Sequence, residues 1–132
     1  MKIAVRIYGL KWIEPKELTL ANGWFAGFFD GDGTINISLK DTKRGEYRYR
    51  NFVLTIGVSN KHKIDMSWFR SFFGGGDSAY DSKSKGRVVG TNHAWTTNKR
   101  DDIYNFRNYL YSCCPLLTPK MYRFEQLDTW YR

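Results

Sequence analysis

From Trp24 to Ile35 the chain reads Trp-Phe-Ala-Gly-Phe-Phe-Asp-Gly-Asp-Gly-Thr-Ile, an apolar stretch at helical spacing that runs out through two aspartates into strict two-residue alternation. A chain built this way must turn from helix to strand across an acidic corner. Gly23, Gly27 and Gly31 recur every four residues, so on a helix they form one smooth ridge that a second backbone can approach closely. Each glycine costs about 1 kcal/mol relative to alanine inside a helix, so three on one face imply that close contact is their purpose. Asp30 and Asp32 lie at the foot of that ridge. A paired helix would bring a second set of carboxylates alongside, and acids duplicated across a dyad suit cutting both strands of a duplex.

The segment Asp-Gly-Asp-Gly-Thr-Ile also matches the middle of an EF-hand calcium loop. With Asp30 and Asp32 at loop positions 3 and 5, position 1 falls on Phe28 and position 12 on Leu39. Neither binds calcium, and the bidentate glutamate is missing, which excludes that reading.

The alternation that follows sets Ile35, Ile37 and Leu39 on one face and Thr34, Asn36, Ser38 and Lys40 on the other. A charged turn over Asp41 to Glu46 leads into a return strand from Tyr47 to Ser59, with Phe52, Leu54, Ile56 and Val58 inward. A helix is predicted from His62 to Phe73, its apolar side marked by Ile64, Trp68, Phe69, Phe72 and Phe73 and its end by Gly74-Gly75-Gly76. A second hairpin runs over Asp77 to Lys83 and Arg87 to Thr97, joined near Ser84-Lys85-Gly86, and a helix over Asp101 to Ser112 carries Ile103, Phe106, Tyr109 and Leu110. Pro115 breaks that helix. Thr118-Pro119 supplies an N-cap and first-turn proline for a last helix through Met121, Phe124 and Leu127. The unit helix-strand-strand thus occurs twice, followed by helices. The expected fold is α+β, an αββαββα order with a four-stranded antiparallel sheet, helices on one face and the polar face open.

A length of 132 residues bounds the chain to one domain, residues 20–132, preceded by an extension over residues 1–19. Lys and Arg number 21 against 13 acidic residues, a net charge of +8 that favours a polyanionic partner. No apolar run approaches the roughly 18 residues of a membrane span, and residues 1–8 are too short and polar for a secretory signal, so a soluble intracellular protein without a membrane partner is expected. Cys113 and Cys114 are adjacent, which makes an ordinary disulfide between them badly strained and reduced thiols the expectation. His62 and His93 fit no zinc-ligand spacing.

The run Phe25-Ala26-Gly27-Phe28-Phe29-Asp30-Gly31-Asp32-Gly33 resembles the nine-residue motif of the LAGLIDADG homing endonuclease family, with phenylalanine at three aliphatic positions and both aspartates in place. The resemblance covers about residues 20 to 128, and the element order above is what it implies for the domain. It implies a magnesium-dependent, site-specific endonuclease that makes a double-strand break across the minor groove of a long pseudo-palindromic target, leaving 3′ overhangs. Intron-borne mobility, typically of a group I intron in an organelle, is the family's setting. One motif copy implies a homodimer meeting through Gly23, Ala26, Gly27 and Gly31. The run Glu17-Leu-Thr-Leu-Ala-Asn-Gly-Trp24 also resembles the approach to the second motif of two-motif members, which leaves open half of a longer protein. An RNA-binding intron-splicing maturase, or a DNA-binding relative that no longer cuts, stands as the alternative.

Hydrolysis of a phosphodiester calls for charge neutralisation and an acidified water, and magnesium prefers carboxylate oxygens with several waters. The resemblance makes Asp32 the metal ligand with help from the Gly31 carbonyl, and suits Asp30 better to a structural or outer role. Lys120, in Pro115-Leu116-Leu117-Thr118-Pro119-Lys120, is similar to the family's active-site lysine; its charge opposes the dipole of its own helix, so some neighbour must compensate. Asn60 corresponds to a polar water-positioning residue, and Lys63 stands in for a basic residue of that cluster, with Lys61 competing. On the open sheet face, alternation offers Asn36, Ser38, Lys40, Asn51 and Thr55 to base edges in the major groove, about 12 Å wide. Lys43, Arg44, Arg48 and Arg50 near the first turn, and Lys83, Lys85 and Arg87 in the second hairpin, are further DNA-binding candidates.

Overall fold

The computed structural model describes residues 19–131, so the extension read at residues 1–19 lies outside the described residues except for Thr19. The first helix, α1 (Trp24–Asp32), buries Phe25, Ala26 and Phe29 and ends at Gly33, whose N–H reaches back to the Phe29 carbonyl. Gly33 is already extended, at φ −75° and ψ 153°. A Cβ there would lie 2.5 Å from Phe29 Cγ and closer still to its carbonyl, so only glycine lets the chain leave the helix as a strand this abruptly.

Strands β1 (Gly33–Arg44) and β2 (Tyr47–Asn60) pair without interruption from Gly33↔Val58 to Arg44↔Tyr47. The turn is therefore only Gly45-Glu46, with Gly45 at φ +59°, and not the six-residue loop expected over Asp41 to Glu46. Opposite charges hold the extra rungs: Arg50 Nε lies 3.1 Å from an Asp41 carboxylate oxygen directly across the ladder. Leu54, Ile56 and Val58 are buried as expected, but Phe52 is 68% exposed, and Ile37 and Leu39 are also open. The hairpin extends beyond the helices that cover its inner half.

Helix α2 (Lys63–Phe73) buries Met66, Phe69 and Phe73, while Ile64 is 65% exposed and Trp68 half-exposed. The stripe predicted from Ile64 is displaced because the helix packs on its Met66-Phe69-Phe73 side, which is also a three-four spacing. Gly74 and Gly75, both at positive φ, close it. In the second hairpin, β3 (Gly76–Ser84) and β4 (Arg87–Thr97) are joined by Lys85-Gly86 at φ +51° and +78°, a tight turn that needs left-handed backbone at both positions. A bulge between Ser82 and Lys83 leaves Val89 unpaired.

Sheet order is β1-β2-β4-β3, all antiparallel. β2 and β4 share only the five rungs from Ile56↔Thr97 to Asn60↔His93, so the two hairpins part beyond their inner ends. Helices α3 (Arg100–Ser112), α4 (Lys120–Glu125) and α5 (Leu127–Trp130) complete the αββαββα order.

The core is aromatic. Phe25, Phe29, Phe69, Phe73, Trp95, Phe106 and Phe124 bind α1, α2, α3 and α4 to the inner sheet face. Rings meet edge to face, as in Phe73–Phe106 at 4.8 Å and Phe25–Phe69 at 5.0 Å, each such pair adding about 1 kcal/mol beyond its buried area. Buried Trp95 places its indole N–H on the Gly74 carbonyl at 2.7 Å. Cys113 and Cys114 are half-buried free thiols after α3.

Candidate functional site

The last carbonyls of a helix have no partner within it, and those of α1 end at the acidic corner. Lys120 takes one of them, its ammonium donating to the Asp30 carbonyl at 2.8 Å, and adds a second bond at 3.3 Å to the Phe29 carbonyl, which already accepts the Gly33 N–H. This resolves the unfavourable placement read from the sequence. The charge does sit at the start of α4, but it is aimed at the C-terminal end of α1, where the partial charge is negative.

Two positions apart on a helix, Asp30 and Asp32 point about 200° away from each other. Asp30 is consumed by structure. Its carboxylate accepts the backbone N–H of Leu117 at 2.7 Å, that of Thr118 at 3.2 Å, and the Thr118 hydroxyl. Partial burial works against its ionised form, but these donors and the nearby Lys120 outweigh it and hold the carboxyl below its ordinary value of 3.8. The Thr118 hydroxyl therefore ties the α3–α4 loop to α1, which corrects its expected role as the N-cap of α4; Pro119 occupies that cap position.

Asp32 is exposed and free of any such clamp. Among the described residues its one hydrogen bond comes from Asn60 Nδ2 at 3.2 Å. The other end of that amide accepts the N–H groups of Lys61 at 2.6 Å and His62 at 3.3 Å, so both ends of Asn60 are engaged and its orientation is fixed. Lys63 sits apart, lining a shallow hollow with Asp77, Ser78 and His93.

Metal fit follows from the donors. The Asp32 carboxylate has no cationic side chain within 4.0 Å among the described residues, and the Gly31 carbonyl is one of the helix-end oxygens that Lys120 leaves alone. Both are hard oxygens of the kind magnesium takes. Among the described residues no three His, Cys, Asp or Glu side chains converge on one point, so a metal held here would have Asp32 as its side-chain ligand from this set.

The flank of α1 carrying Gly27 and Gly31 is bare among the described residues: a Cβ on either would meet nothing of them within 4 Å. Gly23 is less open, because a Cβ there would lie 3.3 Å from Cys114 Sγ. Ala26 is not on this flank. It is 4% exposed, and its N–H donates to the Tyr109 hydroxyl at 3.2 Å inside the subunit. One residue from Gly27, the helix has turned by about 100°, which corrects its assignment to the ridge.

Register places Asn36↔Thr55 and Lys40↔Asn51 as cross-strand pairs on the open face, with Ser38 between them and Arg44 further out. Lys43, Arg48 and Arg50 fall on the opposite parity, shared with Ile35 and Leu54, at the hairpin's exposed outer end. The β4 bulge sets Arg87 opposite Ser84, in parity with Ser78 and Tyr80 on the open face, whereas Lys83 takes the other side and Lys85 lies in the turn. Three open-face aromatics escaped the sequence reading: Tyr47, Tyr49 and Tyr80. Alternation from Asn51 pointed to the first two. Arg123, one turn beyond Lys120, was also missed; its guanidinium donates to the Ile35 carbonyl at 2.7 Å.

Two hairpins under a helical layer, with an exposed acid at the end of a glycine-flanked helix, make a saddle-shaped α+β domain. A family model described as LAGLIDADG endonuclease matches residues 25–131, and the chain belongs to that family. It is 34% identical over 126 residues to a probable intron-encoded endonuclease aI2 of Debaryomyces hansenii, covering 90% of this chain and 18% of that protein. It is 35% identical over 118 residues to the intron-encoded RNA maturase bI4 of Saccharomyces cerevisiae, covering 89% of this chain and 17% of that protein. The chain thus spans less than a fifth of the curated relatives it matches. Among solved structures, the meganuclease I-SmaMI bound to DNA is similar at a TM-score of 0.55, with 17% identity over 80% of this chain and 34% of that one. The homing endonuclease I-GzeII in complex with its DNA target gives 0.52, with 20% identity over 82% and 34%. These likenesses establish the fold.

Proposed function

We propose that this chain is a site-specific DNA endonuclease that works as a homodimer, each subunit contributing one Asp32 to a double-strand break. The observation that carries this is the unequal use of the two acids. Asp30 is committed to the loop, while Asp32 is exposed, oriented by Asn60 and adjacent to the bare flank at Gly27 and Gly31. Pairing two such flanks would bring two Asp32 carboxylates together near a dyad, matched to a pseudo-palindromic target. The two-fold geometry and the 3′ overhangs are carried over from the family.

In this mechanism Asp32 and the Gly31 carbonyl hold magnesium, which when bound offsets phosphate charge and acidifies an attacking water. Asn60 keeps the Asp32 carboxylate from rotating away. Lys120 keeps its ammonium beside the helix end, adding positive charge where the phosphate must sit. Asn36, Ser38, Lys40, Asn51 and Thr55 meet base edges, Arg44 and Arg87 flank them on the same face, and the remaining basic tips serve phosphates. Lys63, which lines the hollow with Asp77 and His93, is kept as the basic residue at the edge of the site. An organellar intron is the proposed setting, in keeping with relatives named as intron-encoded. Among the described residues no helix is long and apolar enough to cross a membrane.

The test is incubation of the purified chain with a random DNA library and magnesium. Recovery of recurrent cut sites, lost with Asp32→Asn, supports the proposal. A second reading draws on the relative named an RNA maturase: binding of intron RNA with splicing assistance that survives Asp32→Asn, and no DNA cutting, would replace the nuclease.

A further inference from the structure

We infer that Arg123 is a positioning residue for nucleic-acid phosphate beside the Asp32 and Lys120 site, an assignment that rests on the DNA-cleaving reading above. Arg123 follows Lys120 by three residues, so both side chains leave the same face of α4. Lys120 reaches back to α1, and Arg123 reaches sideways to β1, the edge strand of the sheet. Between them lies an open groove of about 390 Å³ lined by Thr34, Asn36, Thr118 and Lys120.

The guanidinium spends one donor, a bond to the Ile35 carbonyl at 2.7 Å, and among the described residues it has no carboxylate within 4.0 Å. Arginine carries five N–H donors in a rigid fork, so most of the fork stays available, and that fork matches a phosphate bidentately. Ile35 itself points into the core, whereas Thr34 and Asn36 on either side of it face the open surface. The anchored cation therefore stands at the rim of the base-reading face. From Asp32 to Ile35 is about 10 Å of strand, so the phosphate Arg123 takes is a neighbour of the cleaved one, not the cleaved one itself. Pinned to backbone at one end, the side chain loses little further freedom on binding, which favours register over raw affinity.

The experiment is the salt dependence of binding to a random-sequence duplex without divalent metal, for wild type, Arg123→Gln and Arg123→Lys. Each phosphate contact contributes about 0.9 to the slope of log K against log salt. Arg123→Gln is expected to flatten the slope by about 0.9 per subunit, and Arg123→Lys to restore it. A merely structural bond to Ile35 would shift the melting temperature of Arg123→Gln and leave the slope at the wild-type value, which would overturn the inference. Library cutting by the wild type reads the parent proposal separately: an Arg123-dependent slope in a protein that cuts nothing refutes the nuclease and keeps the phosphate contact.

Discussion

Replacing Asp30 tests whether the two acids of the motif have separate duties. Asp30→Ala removes the acceptor for the Leu117 N–H, the Thr118 N–H and the Thr118 hydroxyl. A fully buried bond to a charged group contributes about 1.5–3 kcal/mol. Asp30 is only partly buried, and Leu117 is so exposed that its amide can turn to water, so about 0.5–1 kcal/mol per bond is appropriate after screening. The total is about 2 kcal/mol, or a loss of about 8 °C in melting temperature for a domain of this size. Asp30→Asn keeps one acceptor oxygen and should lose about half as much. Because the fold lowers the Asp30 pKa, its contribution is complete above the ordinary value of 3.8 and disappears as pH falls through the lower folded value. The gap between wild type and Asp30→Asn, followed by circular dichroism melts from pH 7 downward, should therefore hold to about pH 5 and close below pH 4. A gap that persists undiminished in acid, or a melting temperature for Asp30→Ala within about 2 °C of wild type at neutral pH, refutes the assignment of Asp30 to structure.

A Cβ at Gly27 meets nothing within 4 Å among the described residues, so Gly27→Ala should leave melting unchanged or slightly raised, whereas the bulkier Gly27→Leu should shift sedimentation of the proposed dimer toward monomer. Asn60→Ala frees the Asp32 carboxylate and should lower kcat for cleavage by about 10–100-fold with folding retained, measured in single-turnover assays. Tyr109→Phe loses the bond from its hydroxyl to the Asn22 carbonyl at 2.7 Å and the acceptor for Ala26, costing about 1–2 kcal/mol in denaturant unfolding. Burial, the largest influence, pushes the Tyr109 hydroxyl up to about 12, so the fold favours its neutral form; that stabilisation is whole below pH 10 and lost as pH rises through about 12, and Tyr109→Phe should flatten the alkaline fall.

Much of this architecture is legible because the chain changes period sharply. Three-four spacing through Phe25 and Phe29 gives way to alternation at Ile35, and the glycines at Gly45, Gly74 and Gly86 mark positions where the backbone does turn. The outer hairpin was misread because Asp41 and Arg50 look like loop residues until they face each other across a ladder. Burial beyond the middle of β2 was misread for a different reason: alternation reports which face a residue takes, not how far the covering helices extend, and Phe52 lies past their edge. The site divides the same way. Asp32 and Lys120 are candidates that a motif suggests, whereas the partners of Asp30 lie 87 and 88 residues away, a separation at which no local pattern carries information. Ala26 shows the opposite hazard, since a small residue suits a close approach within the subunit as well as one between subunits.

The placement of Lys120 connects these observations. A helix whose last turn carries two aspartates concentrates negative charge where its own dipole is already negative, a destabilising arrangement in isolation. The fold answers it asymmetrically. Leu117 and Thr118 come from the loop between α3 and α4 and Lys120 from the first position of α4, and all act on Asp30 or on the carbonyls of Phe29 and Asp30. None of them hydrogen-bonds Asp32, whose partner among the described residues is one neutral amide. Had stability alone selected the residue at this position, a neutral side chain would have relieved the repulsion at no cost to packing, because Asp32 is exposed and supports nothing in the core. Among the described residues, the acid that the fold leaves without a cationic partner is the one beside the open flank at Gly27 and Gly31, which is where the proposed cation and second subunit would have to act.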